Sequence, residues 1–175
     1  MTAYRVKETD MSAGTPNRRA ALLTGGAMAI ALVALGQAAP AAAQIDPTRS
    51  FQGTGTSLNA SIEQTGSQDL ITVFAPEAVI DWTPIDTGPG PITFLPEGST
   101  GTFVNGSGVS DFVVLNRIVP TDTTRAIRFD GTVESRVDGS RGGSVWFYSP
   151  GGIIAGSSAL FDVGSLVLTT SPIDT

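Results

Sequence analysis

The carboxylates Asp81, Asp86, Asp130, Glu134, Asp138 and Asp162 are the side chains of this chain best suited to chemistry. Two carboxyl groups held about 5–10 Å apart can act as acid and base, or acid and nucleophile, in glycoside cleavage. Nothing in the spacing of these six demands such a pair. Asp130 and Asp138 each precede a glycine, and Asp-Gly is a dipeptide of tight turns. The chain contains no His and no Cys. That removes the commonest general base and metal ligand, the thiolate nucleophile and any disulfide framework. Gly139 to Gly143 also lacks the Gly-Gly-x-Gly-x-Asp repeat through which some β-rich proteins bind calcium. The composition points away from catalysis, and no cofactor or metal is expected.

The elements available to carry these side chains are strands. Of 175 residues, 41% are hydrophobic and only 15% charged, with 21 Gly and 11 Pro. Such a chain is long enough for one domain with a real core, and its Gly, Thr, Ser and Val suit strands joined by tight turns. Strands are expected near residues 70–74, 78–82, 92–95, 102–104, 112–119, 126–129, 132–137, 144–148, 153–154, 160–163 and 166–169. Breakers such as Ala75-Pro76, Gly88-Pro89-Gly90-Pro91, Asn105-Gly106 and Asp138-Gly139 separate them. Ile127 and Phe129 alternate with Arg128, and Val133, Ser135 and Val137 with Glu134 and Arg136, so each of these strands is expected to bury one face. No exact internal repeat is present. Apolar strand, glycine turn and apolar strand recur loosely at about 20–25 residues, a solenoid-like period. This spacing suits a sandwich and a solenoid equally.

Residues 1–43 read as an export signal. Arg18-Arg19 close a basic leader, Ala20 to Leu35 form an apolar run, and Ala41-Ala42-Ala43 meet the small-x-small cleavage pattern, placing cleavage between Ala43 and Gln44. The run of 16 residues falls short of the ~20 needed to span hydrocarbon, which favours a cleaved signal over an anchor. The Arg18-Arg19 pair is compatible with twin-arginine export, but no Lys follows it, and the general secretory route is the expectation. Removing Arg5, Lys7, Arg18, Arg19, Glu8 and Asp10 takes the formal charge from −6 to −8. An acidic mature chain argues against nucleic acid or anionic lipid as partners.

One stretch stands apart: Gly142-Gly143-Ser144-Val145-Trp146-Phe147-Tyr148-Ser149-Pro150-Gly151-Gly152-Ile153-Ile154-Ala155-Gly156. A dense aromatic run meets a Ser-Pro-Gly-Gly turn and β-branched residues resume at once. Val114-Leu115-Asn116-Arg117-Ile118 stands upstream, and Val163-Gly164-Ser165-Leu166-Val167-Leu168-Thr169-Thr170 downstream. This order resembles the N-terminal secretion domain of filamentous-haemagglutinin-type exoproteins. In that family an Asn-Arg-(Ile/Val) strand precedes a Gly-Gly-x-(aromatic/aliphatic)-x-x-Asn-Pro-Asn-Gly-Ile turn, and a Val-Gly-x-Leu-(Val/Ala)-x-(Ser/Thr)-Thr stretch closes it. The likeness is strong from about Asp111 to Thr170 and weaker from Gln44 to Ser110. Asn116-Arg117-Ile118 occupies the Asn-Arg position and Ser149-Pro150-Gly151-Gly152-Ile153 the turn. Both turn asparagines are replaced, by Ser149 and Gly151.

The resemblance implies an all-β fold, a right-handed parallel β-helix with flanking antiparallel strands, over residues 44–175. It implies an adhesin-like, non-enzymatic exoprotein domain that directs two-partner secretion. The partner would be an outer-membrane barrel transporter, reached through the periplasm of a Gram-negative bacterium, and the product would be secreted or held at the cell surface. The family continues into further coils and a long passenger, so this chain is expected to be truncated relative to it. The other classes open to it are a carbohydrate-active β-helix enzyme and a free-standing structural surface protein. Asn116 and Arg117 read either as a secretion or nucleation motif, or as a corner Asn with a satisfied amide beside a solvated Arg. Ser149 to Gly152 read as a turn first and a recognition element second. Trp146 and Tyr148 alternate with Val145 and Phe147, either packing under a flanking hairpin or forming an exposed aromatic platform.

Overall fold

The computed structural model describes residues 44–173. The expected signal segment, with Ala43 at its end, lies outside the described residues; Gln44 is the first of them. The described residues form an all-β structure without helix. The strands are β1 (Gly53–Leu58), β2 (Ala60–Thr65), β3 (Gln68–Val73), β4 (Glu77–Pro84), β5 (Ile92–Leu95), β6 (Thr100–Asn105) and β7 (Val113–Ile118). There follow β8 (Ile127–Phe129), β9 (Thr132–Val137), β10 (Ser140–Arg141), β11 (Ser144–Tyr148), β12 (Ile153–Ala155), β13 (Leu160–Asp162) and β14 (Ser165–Thr169). Every strand expected from apolar runs between breakers is present. β1, β2 and β10 were not expected, because Gly-Thr-Gly-Thr, Ala-Ser-Ile-Glu-Gln-Thr and the two-residue Ser-Arg carry no strong apolar pattern.

The strands fall into three sheets. β4, β7, β11 and β14 run parallel in one, with β1 antiparallel on its outer edge. β3, β6, β9 and β13 run parallel in the second, with β2 and β10 antiparallel at its two ends. β5, β8 and β12 run parallel in the third. The chain therefore visits the three sheets in a fixed order, and each visit pairs with the one before. β3, β6, β9 and β13 begin at Gln68, Thr100, Thr132 and Leu160, a recurrence of 32, 32 and 28 residues. This exceeds the 20–25 expected from spacing, because each cycle holds three strands and connections as long as residues 119–126.

Alternation puts like residues above like. Ile92, Ile127 and Ile153 occupy one register position across three strands, and Ala78, Val114, Val145 and Leu166 another across four. The interior is aromatic. Phe51–Phe94, Phe94–Phe129, Phe129–Phe147 and Phe129–Phe161 have ring centroids 5.2, 5.7, 4.9 and 5.9 Å apart. Pairs of this kind add about 0.5–1.5 kcal/mol each beyond their burial. Arg128, Glu134 and Arg136 face outward as their alternation requires, and Asp138-Gly139 turns the β9–β10 hairpin with φ of 51° and 78°.

The N-terminal end is closed. Phe51 is fully buried, and a Cβ added at Gly101 would lie 2.2 Å from its ring, so the glycine makes the seat for the phenylalanine. The buried carboxylate of Asp69 accepts the backbone N–H of Ser50 (2.9 Å) and Phe51 (2.8 Å), and Gln64 Nε2 (3.0 Å). Gln52, also fully buried, has its amide satisfied by Asp46 and Arg49. A buried carboxylate and amide are tolerated here because every polar atom finds a partner.

Candidate functional site

Asn116 sits in the middle of β7, opposite Ile80 on β4 and Phe147 on β11, and is fully buried. It is not at a corner. Neighbours 114 and 118 face the same way and are apolar, so alternation carries the amide into the core. There Asn116 Oδ1 accepts the indole Nε1–H of Trp82 at 3.0 Å, and Nδ2 donates to the Trp146 carbonyl at 3.2 Å. Trp82 is itself 2% exposed and packs 5.2 Å from Phe51 and 5.5 Å from Phe94. One side chain thus links the cycle of β4 to the cycle of β11 through the core. A buried amide survives because it answers an indole that would otherwise have no acceptor.

Arg117 points outward, as its parity demands, but is not simply solvated. Its Nε and Nη2 donate to the two carboxylate oxygens of Asp81 at 2.6 and 2.7 Å, across the β4–β7 register. These hydrogen bonds hold the guanidinium above its ordinary pKa. Both partners are substantially exposed, so this bidentate pair fixes register more than it adds stability. Ile118 returns to the core beside Trp82.

Ser149–Ile153 forms the corner between β11 and β12. It lies next to the Asn116 strand, since Tyr148, the residue before Ser149, stands opposite Arg117. The N–H of Ser149 donates to the Thr169 carbonyl at 3.1 Å, that of Gly152 to the Ser149 carbonyl at 3.2 Å, and that of Ile127 to the Gly152 carbonyl at 2.9 Å. Gly152 has a φ of 102°, which a side chain rarely adopts. Gly151 is confined by space: a Cβ there would lie 2.1 Å from the Arg125 carbonyl oxygen and 2.5 Å from its carbon. The family's asparagine therefore does not fit at residue 151 with the Arg125 connection where it is. Ser149 Oγ is buried without a hydrogen-bond partner, so the serine that stands at the family's first turn asparagine makes no side-chain bond. Ile153 then enters the third sheet opposite Ile127.

Arg125, which the sequence did not single out, organises this corner from the other side. It donates to the Gly90 carbonyl (2.8 Å), to Asp86 (2.7 Å) and to the Gly88 carbonyl, clamping the Pro-Gly connection one cycle earlier. The Arg125 hydrogen bond, helped by the Gly88 N–H, holds the Asp86 carboxyl below its ordinary pKa. Trp82 was missed as well, and Asp81, named only as a possible acid or base, was not foreseen as the partner of Arg117. The signal for both was alignment: Ile80-Asp81-Trp82 set beside Asn116-Arg117-Ile118 pairs acid with base and keeps apolar residues in step.

The other candidates are dispersed. Asp130 bonds Arg128, Asp138 bonds Asn105, and only Glu134 and Asp162 come together, in register, where both contact Arg136 at 3.3 and 2.6 Å. That arrangement spends both carboxylates on Arg136, with Arg141 also 3.4 Å from Asp162. Among the described residues no cluster of three or more Asp and Glu is arranged to hold a metal ion. Trp146 is half-buried and lines a groove of about 500 Å³ with Leu58, Val79, Leu115 and Ile173. It therefore borders an open groove whose other lining comes from the end of β1, from β4 and β7, and from Ile173 beyond β14. No protein-family model matches the chain, and no curated protein matches it.

Proposed function

We propose that residues 44–175 form an exported, adhesin-like domain of the two-partner secretion type, wound as a right-handed parallel β-helix and acting without catalysis. The observation that carries the reading is the adjacency of the Asn116–Ile118 strand and the Ser149–Ile153 corner, the two segments that resemble the family. The regular return of the chain to three parallel sheets supports the β-helix, with β1, β2 and β10 as its flanking antiparallel strands. Parallel strands joined by a crossover are right-handed in about 98% of cases, which supports the hand.

On this reading residues 1–43 are the signal, removed between Ala43 and Gln44, and the chain crosses the periplasm of a Gram-negative bacterium to an outer-membrane barrel transporter. The closed N-terminal end gives folding a direction. Cycles stack by nearest-neighbour contacts, so a first cycle seated on Phe51 and Asp69 templates the next, and folding outside draws the chain outward without ATP. Asn116 serves that process as a latch between successive cycles: its bond to Trp82 forms when the second sits on the first, and its bond to the Trp146 carbonyl when the third sits on the second. The product is secreted or retained at the cell surface.

The test is expression with and without the cognate transporter, followed by assay of the medium. Release that depends on the transporter is expected. Equal release in both cases would overturn the proposal.

A further inference from the structure

We propose that Asn105-Gly106 is a self-modification site governed by folding. In the unfolded chain the Gly106 amide attacks the Asn105 side chain and ammonia is lost; in the folded chain the same two residues are locked against that reaction. The modified residue can no longer close the tie that holds the end of β6 to the β9–β10 hairpin. The inference concerns residues the secretion reading leaves unused, and stands independently of it.

Of the asparagines at 17, 59, 105 and 116, only Asn105 precedes a glycine. A following glycine has no Cβ to obstruct ring closure, which makes Asn-Gly the most labile of the asparagine dipeptides. The Gly106 nitrogen bonds to Asn105 Cγ, the Cγ–Nδ2 bond breaks, and the Gly106 amide proton leaves with Nδ2 as ammonia. Water then opens the five-membered imide at either carbonyl, giving aspartate or its β-linked isomer. The reaction needs no oxidant, reductant or metal.

The fold withdraws every group from that reaction. Asn105 closes β6 and pairs with Val73, and ring closure needs a rotation about its ψ that a paired strand residue cannot make. The Gly106 N–H, whose nitrogen would attack, donates to the Val73 carbonyl at 2.6 Å. Nδ2, the leaving group, donates to the Val109 carbonyl at 2.7 Å and to Asp138 Oδ1 at 3.0 Å, while Oδ1 accepts the Asp138 N–H at 3.0 Å. The site borders an open polar hollow, so it is protected by geometry and not by exclusion of water. Neither residue is dispensable. Asn105 gives the hairpin turn of the next cycle both a donor and an acceptor. A Cβ at Gly106 would lie 2.7 Å from the Phe74 ring and 3.0 Å from the Val73 carbonyl oxygen. Packing therefore demands the labile pair that folding then protects. Conversion to aspartate removes both Nδ2 bonds and sets a carboxylate against that of Asp138. The β-linked isomer also lengthens the backbone at the end of the β3–β6 ladder.

The purified chain is held folded in mildly alkaline buffer, and unfolded in urea at the same pH, then digested and its peptides mapped for aspartate and β-linked aspartate. Conversion at residue 105 is expected to be at least about tenfold faster in the unfolded chain, since the folded chain must first open locally. Asn59 and Asn116, which precede Ala60 and Arg117, are internal controls and are expected to lag behind Asn105 in urea. Asn105→Asp, which reproduces one product, is expected to lower the folding equilibrium constant about fivefold or more in urea unfolding. Adding Asp138→Asn returns a donor opposite the new carboxylate and is expected to recover part of that loss. Equal conversion rates in the folded and unfolded chain overturn the proposal. So does conversion of Asn59 or Asn116 as fast as Asn105 in urea. An Asn105→Asp variant as stable as the parent, or a loss that Asp138→Asn does not reduce, overturns it too.

Discussion

Asn116→Leu removes the latch while keeping the number of side-chain atoms, and its cost can be worked from the contacts. The substitution leaves the Trp82 indole N–H, 3.0 Å from its only acceptor, buried without one. An unsatisfied buried donor costs about 1–3 kcal/mol. The Trp146 carbonyl loses its bond to Nδ2 but remains within the β7–β11 ladder, so it adds little. The extra apolar surface of Leu, beside Ile80 and Phe147, offsets a fraction of the loss, leaving a net destabilisation of about 1–3 kcal/mol and a Tm lowered by about 3–10 °C. The diagnostic quantity is the coupling. Trp82→Phe alone leaves Asn116 Oδ1 unpaired, whereas the double substitution leaves neither group wanting a partner. The double variant is therefore expected to be more stable than the sum of the singles predicts, by about 1 kcal/mol or more. Urea unfolding followed by circular dichroism reads all four proteins. If the two effects add, or if Asn116→Leu costs less than about 0.5 kcal/mol, the amide is not the latch described.

Gly151→Asn, which restores the residue of the resembling family, is expected to destabilise by about 1–3 kcal/mol or more, because its Cβ meets the Arg125 backbone. Limited proteolysis should cut first in the connection around Thr121–Arg125, and a variant as stable as the parent would refute the packing argument. Asp86 supplies a pH test. Its carboxyl is held below 3.8 in the folded chain, chiefly by Arg125 and then by the Gly88 N–H. A depressed folded pKa means that its support is present above 3.8 and fades as pH falls through the folded value. The stability difference between the parent and Asp86→Asn is expected to shrink as the pH falls below 3.8; a constant difference would show that the clamp does not depend on the charge.

Much of the fold was legible because strands and turns are local. β-branched and aromatic runs such as Ser144–Tyr148 occupy extended φ/ψ whatever lies beside them, and Asp138-Gly139 accepts positive φ without help from elsewhere. The outward charges Arg128, Glu134 and Arg136 followed from period-two alternation alone. β1 and β2 were illegible for the opposite reason. Gly-Thr-Gly-Thr-Ser-Leu becomes a strand only because β4 offers it an unpaired edge.

The same division runs through the candidate site. Sequence alone determined that Asn116 lies in a strand, that Ser149-Pro150-Gly151-Gly152 turns the chain, and that no His or Cys chemistry is available. Only the tertiary structure decided what Asn116 does, because its acceptor role depends on Trp82, 34 positions earlier, and on a register set by parallel pairing. It likewise decided that residue 151 must be glycine. Its φ is unexceptional, and the constraint comes from the Arg125 backbone of the previous cycle. Conformational preference is written residue by residue along the chain. Contact between cycles is a property of stacking, and no local pattern records which neighbour will arrive.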